Sequence, residues 1–153
     1  MPIEMKLWRV TDDDLRELSS SEPDTEWDLE GWIEEDSTIL ADDLLMIGRQ
    51  VTSALGGTLD LLAIDAEGDL VVIELKRDKT PREVVAQLLH YAAWVSTLSW
   101  RQVGEIAEDY LRRPLEEAFE EQFEADLPED VNTQHRMLIV AAALDDQSEA
   151  IVQ

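Results

Sequence analysis

The sequence predicts an α/β fold in which helices flank a mixed central β-sheet. Two observations predict this class: short apolar runs of strand length alternate with amphipathic stretches of helix length, and the 153 residues suffice for one domain with a sizeable core. A hydrophobic content of 44% is ordinary for a globular protein and argues against wholesale disorder. We therefore interpret residues 1–153 as a single domain.

The first predicted elements are an edge strand, at about 3–10, and two helices. TDDDLREL places Thr11 and Asp14 at capping-box spacing, which predicts a helix start. After the polar linker SSSEPD, the segment EWDLEGWIEED predicts a helix with an apolar stripe made of Leu29, Trp32 and Ile33. A strand at 43–51 and the loop SALGG then lead into GTLDLLAIDAEGDLVVIELKR (57–77), which predicts a hairpin with the turn DAEG.

The second half of the chain predicts helices around one buried strand. Thr80, Pro81 and Glu83 occupy the N-cap, first and third positions of a helix whose core stripe includes Tyr91. A longer helical region at about 101–124, acidic and amphipathic, is followed by the buried strand RMLIVAAAL (136–144) and the start of a last helix. That helix stops abruptly, which is compatible with a longer protein that has an additional C-terminal domain.

The charge is extreme, with 36 acidic and 12 basic residues and a net charge of −24. Such a polyanion is a poor non-specific binder of nucleic acid, because phosphate contacts need Lys and Arg. An acidic surface is also typical of salt adaptation, so a halophilic source is a working hypothesis. The chain has no cysteine, no apolar run long enough to span a bilayer and no signal-peptide pattern at its N-terminus, which together predict a cytoplasmic protein without a membrane partner.

Three charged residues lie inside the apolar hairpin. If the hairpin is symmetric about Glu67, Asp60 lies across from Glu74, and both share a sheet face with Lys76. The opposite face is then wholly apolar, including Leu59. A one-residue bulge at Gly68 would shift this register.

Two carboxylates this close repel unless a cation lies between them. Oxygen ligands favour a hard cation such as Mg²⁺, and a neighbouring lysine can orient an attacking water or stabilise charge on a phosphate. A structural salt bridge of Lys76 with Glu74 or Asp60 is the alternative. The alignment of Asp60 across a buried hairpin favours the metal site.

With Asp60 followed by Glu74-Leu75-Lys76 on adjacent strands, the sequence resembles the PD-(D/E)XK nuclease superfamily, which has a restriction-endonuclease-like fold. It looks most like the branch that contains NucS-like and RecB-like nuclease domains, over residues 22–97. That branch has a Gln and a Tyr on the following helix, matched by Gln87 and Tyr91, and an acid on the preceding helix, matched by Glu26 or by Glu30 one turn later. Leu59 replaces the proline of the superfamily's name, and Thr58 stands where close relatives have a basic residue.

The resemblance implies hydrolysis of DNA phosphodiester bonds with Mg²⁺ or Mn²⁺, in repair or restriction. Asp60, Glu74 and the Leu75 carbonyl are expected to hold the metal, and Lys76 to position the water. Glu26 and Gln87 are expected to support the site.

A basic segment offers DNA contacts within the acidic chain. KRDKTPR (76–82) contains Arg77, Lys79 and Arg82 beside the predicted metal site, and Arg49 and Tyr91 are further candidates. A solvated loop is the alternative for this segment. At the level of the whole domain, the alternatives are a catalytically silent module that binds nucleic acid or protein, and a plain salt-adapted domain. A homodimer is compatible with each interpretation.

Overall fold

The computed structural model describes residues 8–11, 14–17, 26–80 and 82–144. A four-stranded sheet forms its centre, in the order β3 (Leu44–Thr52), β4 (Thr58–Asp65), β5 (Leu70–Thr80) and β6 (His135–Leu144). The first three strands are antiparallel neighbours, and β6 pairs in parallel with β5. A two-stranded sheet, β1 (Trp8–Thr11) with β2 (Asp14–Glu17), precedes it in the chain.

Helices contribute to a core on each face of the central sheet. Helix α1 (Glu26–Glu35) buries Ile33 against Leu61, Ile73 and Leu75 on one face. Helices α2 (Arg82–Val95), α3 (Trp100–Leu111) and α4 (Leu115–Phe123) contribute to the core on the other face, which also contains Leu62, Ile64 and Val72. This arrangement confirms the predicted mixed sheet with flanking helices. None of the helices in the described ranges is long and apolar enough to cross a membrane.

The predicted hairpin register is confirmed. Four facing pairs of β4 and β5 run from Leu61–Ile73 to Ile64–Leu70, and the residue numbers of each pair sum to the value expected for symmetry about Glu67. Gly68 adopts a left-handed φ of 83°, which glycine tolerates without a steric cost, and its N–H donates to the Asp65 carbonyl. The Asp65 side chain accepts from the N–H groups of Glu67 and Asp69. The tight turn therefore closes without shifting the strands.

One helix prediction is wrong. Asp14–Glu17 forms strand β2, in which Asp14 pairs with Thr11 of β1, so the two residues at capping-box spacing face each other. The helical region predicted at about 101–124 is confirmed and consists of two helices, because Arg112 adopts a left-handed φ of 59° as the C-cap of α3 and Pro114 follows shortly after. Residues 19–24 of the predicted linker and the last helix, after residue 144, lie outside the described residues.

Two side-chain placements also differ from the prediction. Trp32 is 49% exposed, whereas its neighbours in the predicted stripe are buried or partly buried. Leu59 packs with Leu62 in the core that includes α2, although simple alternation puts it on the face of Leu61. Strand β4 therefore turns about its own axis between Leu59 and Leu61, at Asp60.

Candidate active site

Asp60 and Glu74 meet where the regular pairing of β4 and β5 ends. Asp60 Oδ2 accepts a hydrogen bond of 2.9 Å from the backbone N–H of Leu75, and Glu74 Oε1 accepts one of 3.4 Å from the backbone N–H of Asp60. Each carboxylate thus reaches across to the backbone of the other strand. The regular ladder stops one residue short of them, at Leu61–Ile73, so Asp60 and Glu74 are not a facing pair and approach each other through these side-chain-to-backbone contacts.

Glu74 is a buried acid, with 1% of its surface exposed. Burial, followed by repulsion from the nearby Asp60, raises the pKa of Glu74 to about 8, and the charge of Lys76 offsets only part of this effect. A divalent cation between the two carboxylates would remove the repulsion and favour the ionised form. The chemistry of this donor set therefore fits a hard cation such as Mg²⁺ or Mn²⁺.

Lys76 lies beside the two acids and is paired with helix α1. Its Nζ lies 3.6 Å from Glu26 Oε2, with the two side chains 27% and 44% exposed. Glu30, the alternative helix acid, is instead buried and bonded to Arg49 and Gln50. Glu26 is therefore the helix acid that contacts the candidate catalytic lysine.

Gln87 and Tyr91 contact each other on α2, as their spacing predicts. Gln87 Nε2 donates a 3.1 Å hydrogen bond to the Tyr91 hydroxyl. The Tyr91 ring is 3% exposed and packs in the core. Its hydroxyl lies against Gly57 in the β3–β4 loop, where a Cβ in place of the glycine hydrogen would come within 2.5 Å of it. This placement favours a supporting role for Tyr91 over direct contact with DNA.

Arg49 is already engaged by protein groups. Its Nε lies 3.1 Å from Glu30 Oε2, its Nη1 pairs with Glu34 Oε2 at 2.5 Å, and its guanidinium stacks over the Trp27 ring at 3.9 Å. Only 18% of the side chain is exposed. Contact of Arg49 with DNA stays a prediction, and these partners favour a structural role.

The basic segment is not a loop. Arg77 and Lys79 belong to β5, which continues past Lys76 and pairs again with β6 at Lys79–Ala143 and Thr80–Leu144. Arg82 begins α2, close to the predicted helix start, and Pro81 lies outside the described residues. The backbone thus carries these residues from the candidate metal site to a helix N-terminus, and DNA contacts of their side chains stay a prediction.

A second group of acids lies at the opposite end of the hairpin. Carboxylate oxygens of Asp43, Asp65 and Glu67 lie within 4.8 Å of one another. Arg136 pairs with Asp43 at 3.0 Å and with Asp65 at 3.5 Å, and Asp65 also accepts the backbone hydrogen bonds of the turn. These contacts account for the cluster as a structural element.

Sequence reasoning missed the polar network behind Asp60. Gln50 Nε2 lies 3.4 Å from Asp60 Oδ1 and 2.7 Å from Glu30 Oε1. The Tyr110 hydroxyl lies 2.6 Å from Glu34 Oε1. These residues come from α1, β3 and α3, and no short spacing connects them. The neighbouring Arg49 and Gln50 in GRQ were the available signal, since two polar residues interrupt an apolar strand there.

Comparison with known proteins supports the predicted resemblance. The chain is 40% identical over 58 residues to the endonuclease NucS of Sulfolobus acidocaldarius. Its fold is similar to that of a repair endonuclease from Pyrococcus abyssi, with a TM-score of 0.55 and 18% identity over 88% of this chain. It is also similar to EndoMS in a complex with double-stranded DNA, with a TM-score of 0.55 and 19% identity over 94% of this chain. The resemblance to PD-(D/E)XK nucleases of the NucS type and the fold class are thereby confirmed.

The similarity covers only part of each relative. The match to NucS spans 38% of this chain and 21% of that protein, and the chain covers 45% of each of the two solved structures. No protein-family model matches the chain.

Proposed function

We propose that this chain is the nuclease part of a metal-dependent DNA endonuclease that hydrolyses phosphodiester bonds in DNA repair. The observation that carries the proposal is the meeting of Asp60 and Glu74, from two strands, beside Lys76. The names of the similar proteins, two of which are endonucleases and one of which was solved in complex with double-stranded DNA, support the reaction and the substrate.

The roles follow from charge and position. Asp60 and Glu74, with the Leu75 carbonyl, would hold Mg²⁺ or Mn²⁺, which when bound lowers the pKa of a water and neutralises charge on the scissile phosphate. Lys76 provides the cation beside the acids and orients the attacking water. Glu26, 3.6 Å from the Lys76 ammonium, holds that ammonium in place.

Gln87 supports the site, and the basic segment binds the DNA phosphates. Gln87 is exposed on α2, and its bond to the buried Tyr91 fixes its direction. Arg77, Lys79 and Arg82 supply local positive charge to a chain with a net charge of −24. Phosphate binding then depends on this short segment and falls with salt.

The test is cleavage of single-stranded, duplex, branched and mismatched DNA, with Mg²⁺ or Mn²⁺, at low and high salt. We expect the parent chain to cut at least one substrate, and the Asp60→Ala and Lys76→Ala variants to cut none. Cleavage that survives both substitutions would place the activity elsewhere. Binding of DNA without cleavage would instead support a catalytically silent module.

A further inference from the structure

Gln50 has an unusual backbone for a residue inside a strand. Its φ is +52°, in the left-handed region that side chains other than glycine rarely adopt. The other described non-glycine residues with positive φ have ordinary explanations: Arg112 and Glu124 are helix C-caps, and Asn132 is an asparagine in a loop. Gln50 alone of these four lies within a β-strand, two residues before the end of β3.

The irregularity coincides with Asp60. The β3–β4 register itself is the same on both sides, at Arg49–Leu61 and Val51–Leu59, and its shift lies earlier, between Met46 and Gly48; the irregularity at Gln50 is therefore one of backbone conformation. Leu59 and Leu62 pack in the same core, so β4 also departs from regular alternation at this level. Both strands therefore deviate at the point where the metal-binding acid is expected. Strained backbone of this kind persists only where surrounding contacts hold it.

The side chain of Gln50 supplies such contacts. Its amide Nε2 lies 2.7 Å from Glu30 Oε1 and 3.4 Å from Asp60 Oδ1, and one amide nitrogen has two protons to donate. Glu30 is buried, and its other oxygen is held at 3.1 Å by Arg49, which itself pairs with Glu34. The amide is thus anchored on one side by a buried ion pair and directed on the other towards Asp60.

We propose that Gln50 is a positioning residue that fixes the carboxylate of Asp60 for metal binding, and that Arg49 and Glu30 anchor it. The inference rests on the proposed function, since it assigns Asp60 as a metal ligand. Gln50 contacts no metal or substrate itself. Partners that orient a metal ligand in this way typically contribute 10- to 100-fold to metal affinity.

The test variant is Gln50→Gly, because glycine adopts the left-handed φ freely and removes the side chain, with its amide, without adding backbone strain. Mn²⁺ binding is measured by titration calorimetry on the parent chain, Gln50→Gly, Asp60→Asn and the control Thr52→Ala, which alters an exposed residue of the same strand. We expect Gln50→Gly to weaken Mn²⁺ binding roughly tenfold and DNA cleavage in parallel, and saturating Mn²⁺ to restore much of the cleavage. Thr52→Ala is expected to match the parent.

A double-mutant cycle measured without metal tests the contact of Gln50 with Asp60 directly. Its coupling energy does not change when a variant merely loses stability in general. Urea unfolding of Gln50→Gly, Asp60→Ala and the double variant should be non-additive, since each single substitution removes the contact between the two side chains. Additive unfolding together with parental Mn²⁺ affinity in Gln50→Gly would overturn the positioning role while the proposed function stands. A parent chain that binds no Mn²⁺ would overturn both.

Discussion

Glu74 is an acid whose surroundings oppose its charge. It is buried, it lies close to Asp60, and the neighbouring Lys76 is paired with Glu26. A structural salt bridge of Lys76 with Glu74 or Asp60 was the alternative prediction. Lys76 pairs with Glu26 and offsets only part of the rise in the pKa of Glu74, so a proton or a metal is needed to neutralise the two hairpin acids fully.

This environment predicts a pH-dependent stability for the metal-free protein. Because folding raises the pKa of Glu74 from its ordinary value of 4.5 to about 8, the native state holds one more proton than the unfolded state between these values. The contribution of Glu74 to the free energy of unfolding therefore falls as pH rises through this window, by at most about 1.4 kcal/mol per pH unit. Urea unfolding from pH 5 to 8.5 measures it.

The Glu74→Gln variant should lack this pH-dependent contribution to the free energy of unfolding. The control Glu105→Gln, which alters an exposed acid of α3, should keep it. Added Mn²⁺ should stabilise the parent most at the alkaline end, where Glu74 is ionised. Parallel pH profiles for the parent and Glu74→Gln would contradict the account of this residue.

At the scale of elements, the hairpin was predictable and its supports were not. The alternation of apolar residues around DAEG defines β4, β5 and their register, because a slip of one residue would reverse every side chain. The contacts of Asp60 with Gln50, and of Gln87 with the β3–β4 loop through Tyr91, depend on how separate elements pack. Sequence spacing carries no information about such long-range approaches.

The packing of α2 on the β3–β4 loop gives a matched pair of variants. Gly56 and Gly57 both have left-handed φ values, of 98° and 83°, but a Cβ on Gly56 meets nothing within 4 Å, whereas one on Gly57 meets the Tyr91 hydroxyl at 2.5 Å. Alanine at either position should cost about 1 kcal/mol of backbone strain. Gly57→Ala should lose roughly 1–3 kcal/mol more, measured by urea unfolding.

The Tyr91→Phe substitution removes the hydroxyl with which the Cβ added by Gly57→Ala would clash. In that background the additional loss caused by Gly57→Ala should shrink, and Gly56→Ala should cost the same as before. If Gly57→Ala loses the same free energy of unfolding in the parent and in Tyr91→Phe, α2 does not pack on the β3–β4 loop as described.

At the scale of the whole molecule, an acidic chain carries the site that we propose for an anionic substrate. The net charge of −24 opposes non-specific binding of DNA, and Arg77, Lys79 and Arg82 near the site are the local exception. The charge balance and the motif of Asp60 with Glu74-Leu75-Lys76 could be predicted from the sequence, because they are local and additive properties. The sequence did not predict the break between α3 and α4 or strand β2, because tertiary pairing and backbone geometry override short helix signals there.

Salt should stabilise the fold of this polyanion. Screening lengths fall from about 10 Å at 0.1 M to about 3 Å at 1 M, which weakens repulsion between surface carboxylates. We expect the helical circular dichroism signal to diminish strongly when salt is removed and to return when KCl is restored. A signal indifferent to salt would contradict the halophilic hypothesis.

The central claim is that Asp60 and Glu74 bind a metal while Lys76 serves the chemistry. The most direct measurement combines Mn²⁺ titration with single-turnover cleavage for the parent, Asp60→Asn and Lys76→Ala. The account predicts that Asp60→Asn loses both binding and cleavage, and that Lys76→Ala keeps Mn²⁺ binding while its cleavage rate falls about 100-fold or more. Parental cleavage by Lys76→Ala, or Mn²⁺-dependent cleavage by Asp60→Asn, would contradict it.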